Sequence, residues 1–357
     1  MTERLVTPRR LHAAVRDVLI AHGSETAVAD AVARGLVDAD VHGVASHGVS
    51  RLGIYLERLR AGSVRGDDSV TVVTEWPTGA VLDAGHSFGA WSAERAVDLV
   101  IEKARESGMA IVVTRHADHF GRAAAYSERM AVAGMVAVVA ANTAPLMPAV
   151  GGAEPVLGNN PISIAAPGGE HVPFADMALS AVALGKIIEA DRAGTAIPPT
   201  WATDEHGAPT TEPAAARRGL LLPAAGAKGF GLAFFVEILT AILGGVEGGT
   251  ARSLYKQIDQ PNDCAHVFLA IDAARFEPAG AEPVATRVDR LSERIRSSAR
   301  APGVEAIYAP GDLERAAAER SRDVLALSEA TAAELDELVR AAGVASPFNA
   351  DADGAAS

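Results

Sequence analysis

Apolar residues recur at helical spacing from the first dozen positions onward. Leu11, Val15, Val18 and Leu19 share one face and stop at Gly23; Val28, Val32 and Leu36 repeat the pattern after Ser24, a candidate N-cap. Two amphipathic helices are therefore expected to open the chain. A third is expected after "VHGVASHG", starting at Ser46, with Leu52, Tyr55, Leu56 and Leu59 on one face and Gly62 just past its end. From there the pattern alternates. Val81-Leu82 reads as strand, Trp91 to Lys103 as helix with Gly108 as C-cap, and Met109 to Val113 as a buried strand. Arg122 to Val132 predicts another helix ending at Gly134, and Met135 to Ala141 another buried strand. Such alternation predicts layered helix and sheet.

Beyond it, "VGGAEPVLGNNPISIAAPGG" is loop-rich, and Asp176 is placed to cap a helix running to Asp191. Leu220-Leu221-Leu222 leads through "PAAGAKGFG" into an apolar helix ending near Gly244, and the final "FNADADGAAS" reads as a solvated tail. Met130 to Ala153 carries no charge, but Asn142, Pro145, Pro148 and several glycines make it strand plus loop rather than a membrane span.

Composition narrows the function classes. At 357 residues with 49% hydrophobic content, the chain can build a large core in two or three lobes. A formal charge of −13, with arginines scattered among acids, supplies no basic stripe for nucleic acid. Cys264 stands alone, which excludes an intrachain disulfide and CxxC metal sites. The charged start "MTERLVTPRR" lacks the apolar core of a signal peptide, so a cytoplasmic location is expected.

Several stretches carry candidate chemistry. "AGHSFGA" contains G-x-S-x-G, the nucleophile elbow of α/β-hydrolases, which would make Ser87 a nucleophile with Asp259 or Asp263 and then His266 following in the required order. The alternative is a tight turn using Gly85 and Gly89, with Ser87 capping the next helix. "HGVASHGVSR" spaces His47, Arg51 and Tyr55 four residues apart, a stripe able to grip a small anion, because the planar guanidinium holds a carboxylate bidentately; the alternative is a surface arginine beside a histidine satisfied in the core. "TRHADHFGR" follows a buried strand. His116 and His119 lack the further ligands a metal needs, and acid/base work by an imidazole titrating near 6.5 fits better. Neither G-x-G-x-x-G nor a P-loop is present, which leaves "AAGAKGFG", either a helix N-terminus and Lys228 placed to meet a phosphate or a flexible turn with a solvated lysine.

Together, "HGVASHGVSRLGIY", "HADHFG", "VGGAEPVLGNNPI", "FADMALSAVALGK", "TWATDEHGAPTTEP" and "AAGAKGFGLAFFVEIL" closely resemble the type 2 malate/L-lactate dehydrogenase family, the non-Rossmann NAD(P)-dependent oxidoreductases. That family includes ureidoglycolate and sulfolactate dehydrogenases and a cyclic-imine reductase. The resemblance implies an α/β (α+β) fold, with a helical N-terminal segment at 1–65. It also implies a core, substrate and dimerisation domain from 66–117 with 295–357, and a largely antiparallel-sheet NAD(P)-binding domain at 118–294. It further implies a homodimer, NAD or NADP as cofactor, no metal, and a small 2-hydroxy or 2-oxo acid as substrate.

Carried over motif by motif, Arg51 holds the substrate carboxylate with Ser46, His47 and Tyr55 lining the pocket, and Ser87 becomes a structural serine. His119 takes the hydroxyl proton, a role that some members give to the residue matching Asp176. His119, Phe120, Gly121, Asp176, Lys186, Lys228 and Gly229 match the cofactor segments. Where many relatives have G-T-N-P, this chain has Gly158-Asn159-Asn160-Pro161, so an amide at Asn159 replaces a hydroxyl that contacts substrate.

Overall fold

Residues 3–348 are described by a computed structural model; most of the tail expected at "FNADADGAAS" lies outside them. Strand β1 (Glu3–Val6) leads into helices α1 (Pro8–Ala21) and α2 (Thr26–Val41), two 3₁₀ turns (Ala45–His47 and Val49–Arg51), and α3 (Leu52–Ala61). A hairpin of β2 (Thr71–Trp76) and β3 (Gly79–Asp83) precedes α4 (Gly89–Ser107), β4 (Met109–Ala117), α5 (Ala123–Val132) and β5 (Met135–Ala141). The short β6 (Met147–Pro148) and β7 (Pro155–Leu157) are followed by β8 (Ile162–Ala165), β9 (Phe174–Met177), α6 (Leu184–Ala193) and α7 (Pro213–Ala216). Next come α8 (Ala227–Glu237), extended by a π turn (Ile238–Ile242), then β10 (Cys264–Asp272), α9 (Val284–Arg296), α10 (Asp312–Ser321), β11 (Leu325–Ser328) and α11 (Glu329–Ala341).

One seven-stranded sheet organises the molecule, in the order β2-β3-β4-β10-β5-β8-β9. Only β3 and β4 run parallel, the pair joined across α4, and every other neighbour is antiparallel. Alternation along the central strands sends residues to two cores. Val112, Val139 and Phe268 pack with Val97, Val100 and Met130 of α4 and α5, while Val113, Ala140 and Val267 pack on the other face with Ile187 and Val236. A third core joins α1, α2, α3 and α11, and closes where β1 pairs with β11. The sheet thus runs across residue 117, where a domain boundary was expected.

Four local expectations change. Ser24 does not cap α2: Glu25 takes the cap position because its N–H is stitched to the Gly66 carbonyl, and the Ser24 hydroxyl is buried without a partner. The third helix starts at Leu52 rather than Ser46. An uninterrupted helix would bond the Val49 N–H to the Ala45 carbonyl, but the Asp40 carboxylate takes it at 2.7 Å, and Gly48 is extended. Met109 is exposed at the head of β4, although Ala110, Val112 and Val113 are buried. Asp176 lies in edge strand β9, and the helix expected after it is Leu184–Ala193, with Ala183 at its N-cap position and no side chain capping it.

The Asp40 carboxyl is buried at the end of α2, where desolvation raises its pKa to about 7. A side chain at Gly48 would come within 2.0 Å of it. Glycine at 48 therefore lets the turn carrying His47 and Arg51 lie flat on α2.

Candidate active site

Strand β4 ends at Ala117 and delivers Asp118 and His119 to the edge of the helical lobe. Asp118 forms an ion pair with Arg58 of α3 at 2.9 Å, with 3% and 0% of their side chains exposed. Its other oxygen accepts the His119 backbone N–H at 2.8 Å. The pair thus locks the His119 backbone to α3, and removing either partner would strand a buried charge. Gly89 serves the same junction: a side chain there would come within 2.0 Å of the Asp118 carbonyl, while Gly85 turns in the left-handed region at φ 55°. These are the two glycines of the elbow-like motif.

The imidazole of His119 is oriented through Nδ1, which lies 2.6 Å from the Tyr55 hydroxyl and 3.3 Å from the Gly121 N–H. A backbone N–H only donates, so Nδ1 is an acceptor and the neutral ring carries its proton on Nε2. Nε2 has no hydrogen-bond partner among the described residues. The His47 ring stacks on His119 at 5.6 Å between centroids and 20° between planes. Burial, reinforced by the charge of Arg51, holds His119 well below the ordinary histidine range and lowers His47 to about 4. Both rings are neutral at neutral pH, which corrects the expected value near 6.5. Burial also raises the pKa of the Tyr55 phenol, which stays protonated.

Arg51 completes the group. Its Nε donates to the Ser46 carbonyl at 2.6 Å, and its Nη1 donates to the Tyr255 hydroxyl, with the guanidinium 5.1 Å from the centre of that ring. The Ser46 hydroxyl lies 3.0 Å from His47 Nδ1. Ser46, His47, Arg51, Tyr55 and His119 are therefore brought together, through two 3₁₀ turns rather than along one helix face.

The remaining candidates are placed differently. Asp176 accepts the Ala124 N–H at 2.9 Å, so it does cap a helix, but that helix is α5; burial on this side raises its carboxyl pKa although part of the residue stays exposed. The Phe120 ring is packed between His266 (4.2 Å) and Tyr126 (5.2 Å), and its carbonyl accepts the Tyr126 hydroxyl. Lys186 is exposed on α6 and pairs with Glu189 at 3.0 Å. Asn159 accepts the Thr143 hydroxyl at 2.8 Å, whereas Asn160 is buried and donates to Glu237 and to the Ala233 carbonyl. No hydrogen bond, ion pair or ring contact among the described residues joins Lys186 or Lys228 to the His119 group.

Lys228 is exposed in the first turn of α8, behind Gly226 at φ 64°, and no side chain caps that helix. Gly229 allows the Ala224 carbonyl to approach to 2.0 Å of where a side chain would stand. Uncapped amides, the positive end of the helix and a free ammonium form a donor set suited to a phosphate. Beside it opens a cavity of ≈ 840 Å³ lined by Gly151, Gly152, Trp201, Ala224 and Gly226. The residues present therefore fit a nucleotide cofactor.

Ser87 is fully buried, donates to the Asp67 carbonyl at 2.9 Å, and neither meets a base nor caps α4, whose cap is Phe88. His266 stacks under Phe120 with its Nε2 3.5 Å from the Cys264 sulfur. A hydrolase triad has no geometry here. His116 turns away from His119 to the Asp83 carboxylate at 2.9 Å.

Residues 6–336 match the malate/L-lactate dehydrogenase family. The chain belongs to that family. It is 35% identical over 342 residues to an L-sulfolactate dehydrogenase from Methanothermobacter thermautotrophicus, covering 95% of this chain and 96% of the relative. It is 36% identical over 336 residues to a (2R)-3-sulfolactate dehydrogenase (NADP(+)) from Chromohalobacter salexigens, covering 93% and 97%. The solved sulfolactate dehydrogenase of Methanocaldococcus jannaschii superposes with a TM-score of 0.89 at 35% identity, over 95% of this chain and 98% of that one. As a malate/L-lactate dehydrogenase family member, the chain is an oxidoreductase acting on the CH–OH group of a hydroxy acid with NAD or NADP. Among the described residues no helix is long and apolar enough to cross a membrane.

Arg58, Asp118 and Tyr255 were missed in the sequence. Arg58 stands three residues beyond Tyr55 and Asp118 is adjacent to His119, so a charge on an apolar helix face beside a histidine motif was the available signal for the first two. Tyr255 had none.

Proposed function

We propose that this dehydrogenase interconverts a small 2-oxo acid and its 2-hydroxy acid, of the malate, lactate or sulfolactate type, with Arg51 as carboxylate clamp and His119 as the proton-transferring residue. The observation that carries the reading is His119 Nε2, left unpartnered while Nδ1 is engaged, in the group that holds Arg51. Arg51 meets the acid with the N–H groups that Ser46 and Tyr255 leave over, fixing orientation as well as charge. The bound nicotinamide cofactor supplies the hydride acceptor in oxidation and the donor in reduction.

Tyr55 sets the proton register. Its hydroxyl donates to Nδ1 in the resting ring and can instead accept from an Nδ1–H, so a ring that moves its proton to Nδ1, giving up the 3.3 Å contact from the Gly121 N–H, offers the Nε2 lone pair to the substrate hydroxyl. The imidazolium formed on that transfer is a strong acid, because burial and Arg51 depress its pKa. In reduction the same Nε2 proton goes back to the substrate oxygen, a step that requires the imidazolium and so speeds up as pH falls toward that low pKa.

A panel of pyruvate, oxaloacetate, sulfopyruvate and a cyclic imine carboxylate, each with NADH and NADPH, tests the reading. At least one open-chain 2-oxo acid is expected to be reduced, seen as loss of nicotinamide absorbance; turnover of the imine alone would overturn it.

The same reading includes a homodimer. It is supported by the apolar face of α8 and its π turn, where Phe235 is 60% exposed and Leu232, Leu239, Ile242 and Leu243 are exposed beside it. Sedimentation at micromolar concentration is expected to give twice the chain mass, and a single-chain mass would remove this part.

A further inference from the structure

Tyr255 sits on a loop far from every motif, yet its hydroxyl meets Arg51 across 204 positions of sequence. We infer that Tyr255 is a substrate-binding residue: its phenolic O–H is a second donor in the carboxylate clamp built on Arg51. The inference rests on the reading of Arg51 given above and deepens it.

Donor and acceptor chemistry leads to this assignment. A guanidinium carries only N–H donors, so in the contact with Arg51 the Tyr255 oxygen must accept, and its own proton remains to be given. Among the described residues no acceptor receives it. The ring itself lies 5.1 Å from the Arg51 guanidinium carbon. A carboxylate placed on the free N–H groups of Arg51 therefore comes up against an O–H that has no other use, and a neutral donor adds direction without further charge.

The phenol is presented by a braced loop rather than by burial, since 56% of Tyr255 is exposed. Arg58 of the buried ion pair donates to the Gln257 and Gln260 carbonyls at 3.2 and 3.1 Å, and Ser63 donates to the Ile258 carbonyl. Within the loop the Ser253 hydroxyl accepts the Tyr255 and Lys256 N–H groups, both at 3.3 Å, while the Ser253 N–H donates to the Gln257 side chain. One cation, Arg58, thus braces this loop and, through Asp118, the backbone of His119. Donor and base are held to the same helix.

Tyr255→Phe tests the inference, because it keeps the ring on Arg51 and removes only the hydroxyl from an exposed position. The probe is oxamate, an unreactive 2-oxo acid mimic, titrated into the protein saturated with reduced cofactor. Oxamate is expected to bind about tenfold more weakly to the variant, the loss of one hydrogen bond to a charged group, while affinity for the cofactor is retained. For the acid reduced in the panel, the loss should fall on KM rather than kcat. Oxamate affinity within twofold of wild type overturns the inference, and so does a loss shared by cofactor affinity and kcat, which marks Tyr255 as scaffold. Arg51→Lys separates the two levels: if it leaves oxamate binding untouched, the clamp reading itself fails and this inference with it; if it weakens oxamate while Tyr255→Phe does not, only the inference fails.

Discussion

His119→Ala is expected to lower kcat by about 10²–10⁴, with KM for the acid much less affected, because a positioned acid/base group contributes that much to a proton transfer that must accompany hydride movement. The structure makes a specific demand on the pH dependence. An imidazole accepts the hydroxyl proton only when neutral, so alcohol oxidation falls as pH drops through its pKa. Burial and the charge of Arg51 hold that pKa well below the ordinary histidine value. The wild-type profile should therefore be flat through neutrality, with its acidic limb below the usual histidine range, and the limb should vanish in the variant. Asp176→Asn should keep more activity than His119→Ala, since an asparagine oxygen can still accept the Ala124 N–H that Asp176 accepts now. A ranking in the opposite order, with the limb intact in the His119 variant, would move the proton to Asp176.

Arg51→Lys is expected to raise KM for the acid by about 10- to 100-fold, the range for losing hydrogen bonds to a charged group, with cofactor affinity unchanged. An ammonium keeps the charge but not the fork. Arg51 uses Nε on the Ser46 carbonyl and Nη1 on Tyr255, and still has N–H groups to offer a carboxylate. A lysine cannot occupy both supports and present two parallel donors at once. Steady-state kinetics with varied acid and with varied cofactor separate the outcomes: an unchanged KM for the acid alongside collapsed cofactor affinity would place Arg51 in the dinucleotide site.

Much of the fold around the candidate site was legible in the sequence. The helix stops at Gly62 and Gly108 follow from left-handed backbone that only glycine adopts freely, and both are C-caps at φ 75° and 87°. The spacing of His47, Arg51 and Tyr55 put in one group three residues that the fold also holds together. It misjudged the route, because the carboxylate that breaks the helix at Val49 comes from Asp40, nine positions earlier. The elbow motif failed for a related reason. Ser87 looks exposed on a turn in sequence, but Gly89 exists to receive the backbone of Asp118, which buries the serine in that junction.

What the sequence by itself determined is what depends on neighbours along the chain: element type from hydrophobic period, stops at glycine, absence of a Rossmann loop, and the residues with chemistry worth having. The tertiary structure decided protonation, partnership and strand order. His119 is neutral because folding takes it out of water beside Arg51, and its proton sits on Nε2 because Tyr55 and Gly121 occupy Nδ1. Arg58 meets Asp118 where β4 ends against α3, and Tyr255 meets Arg51 because β10, paired beside β4, brings the loop before it to the same helix. Desolvation and hydrogen bonding are set by what surrounds a group in space, and pairs sixty and two hundred and four positions apart leave no periodic trace in the chain.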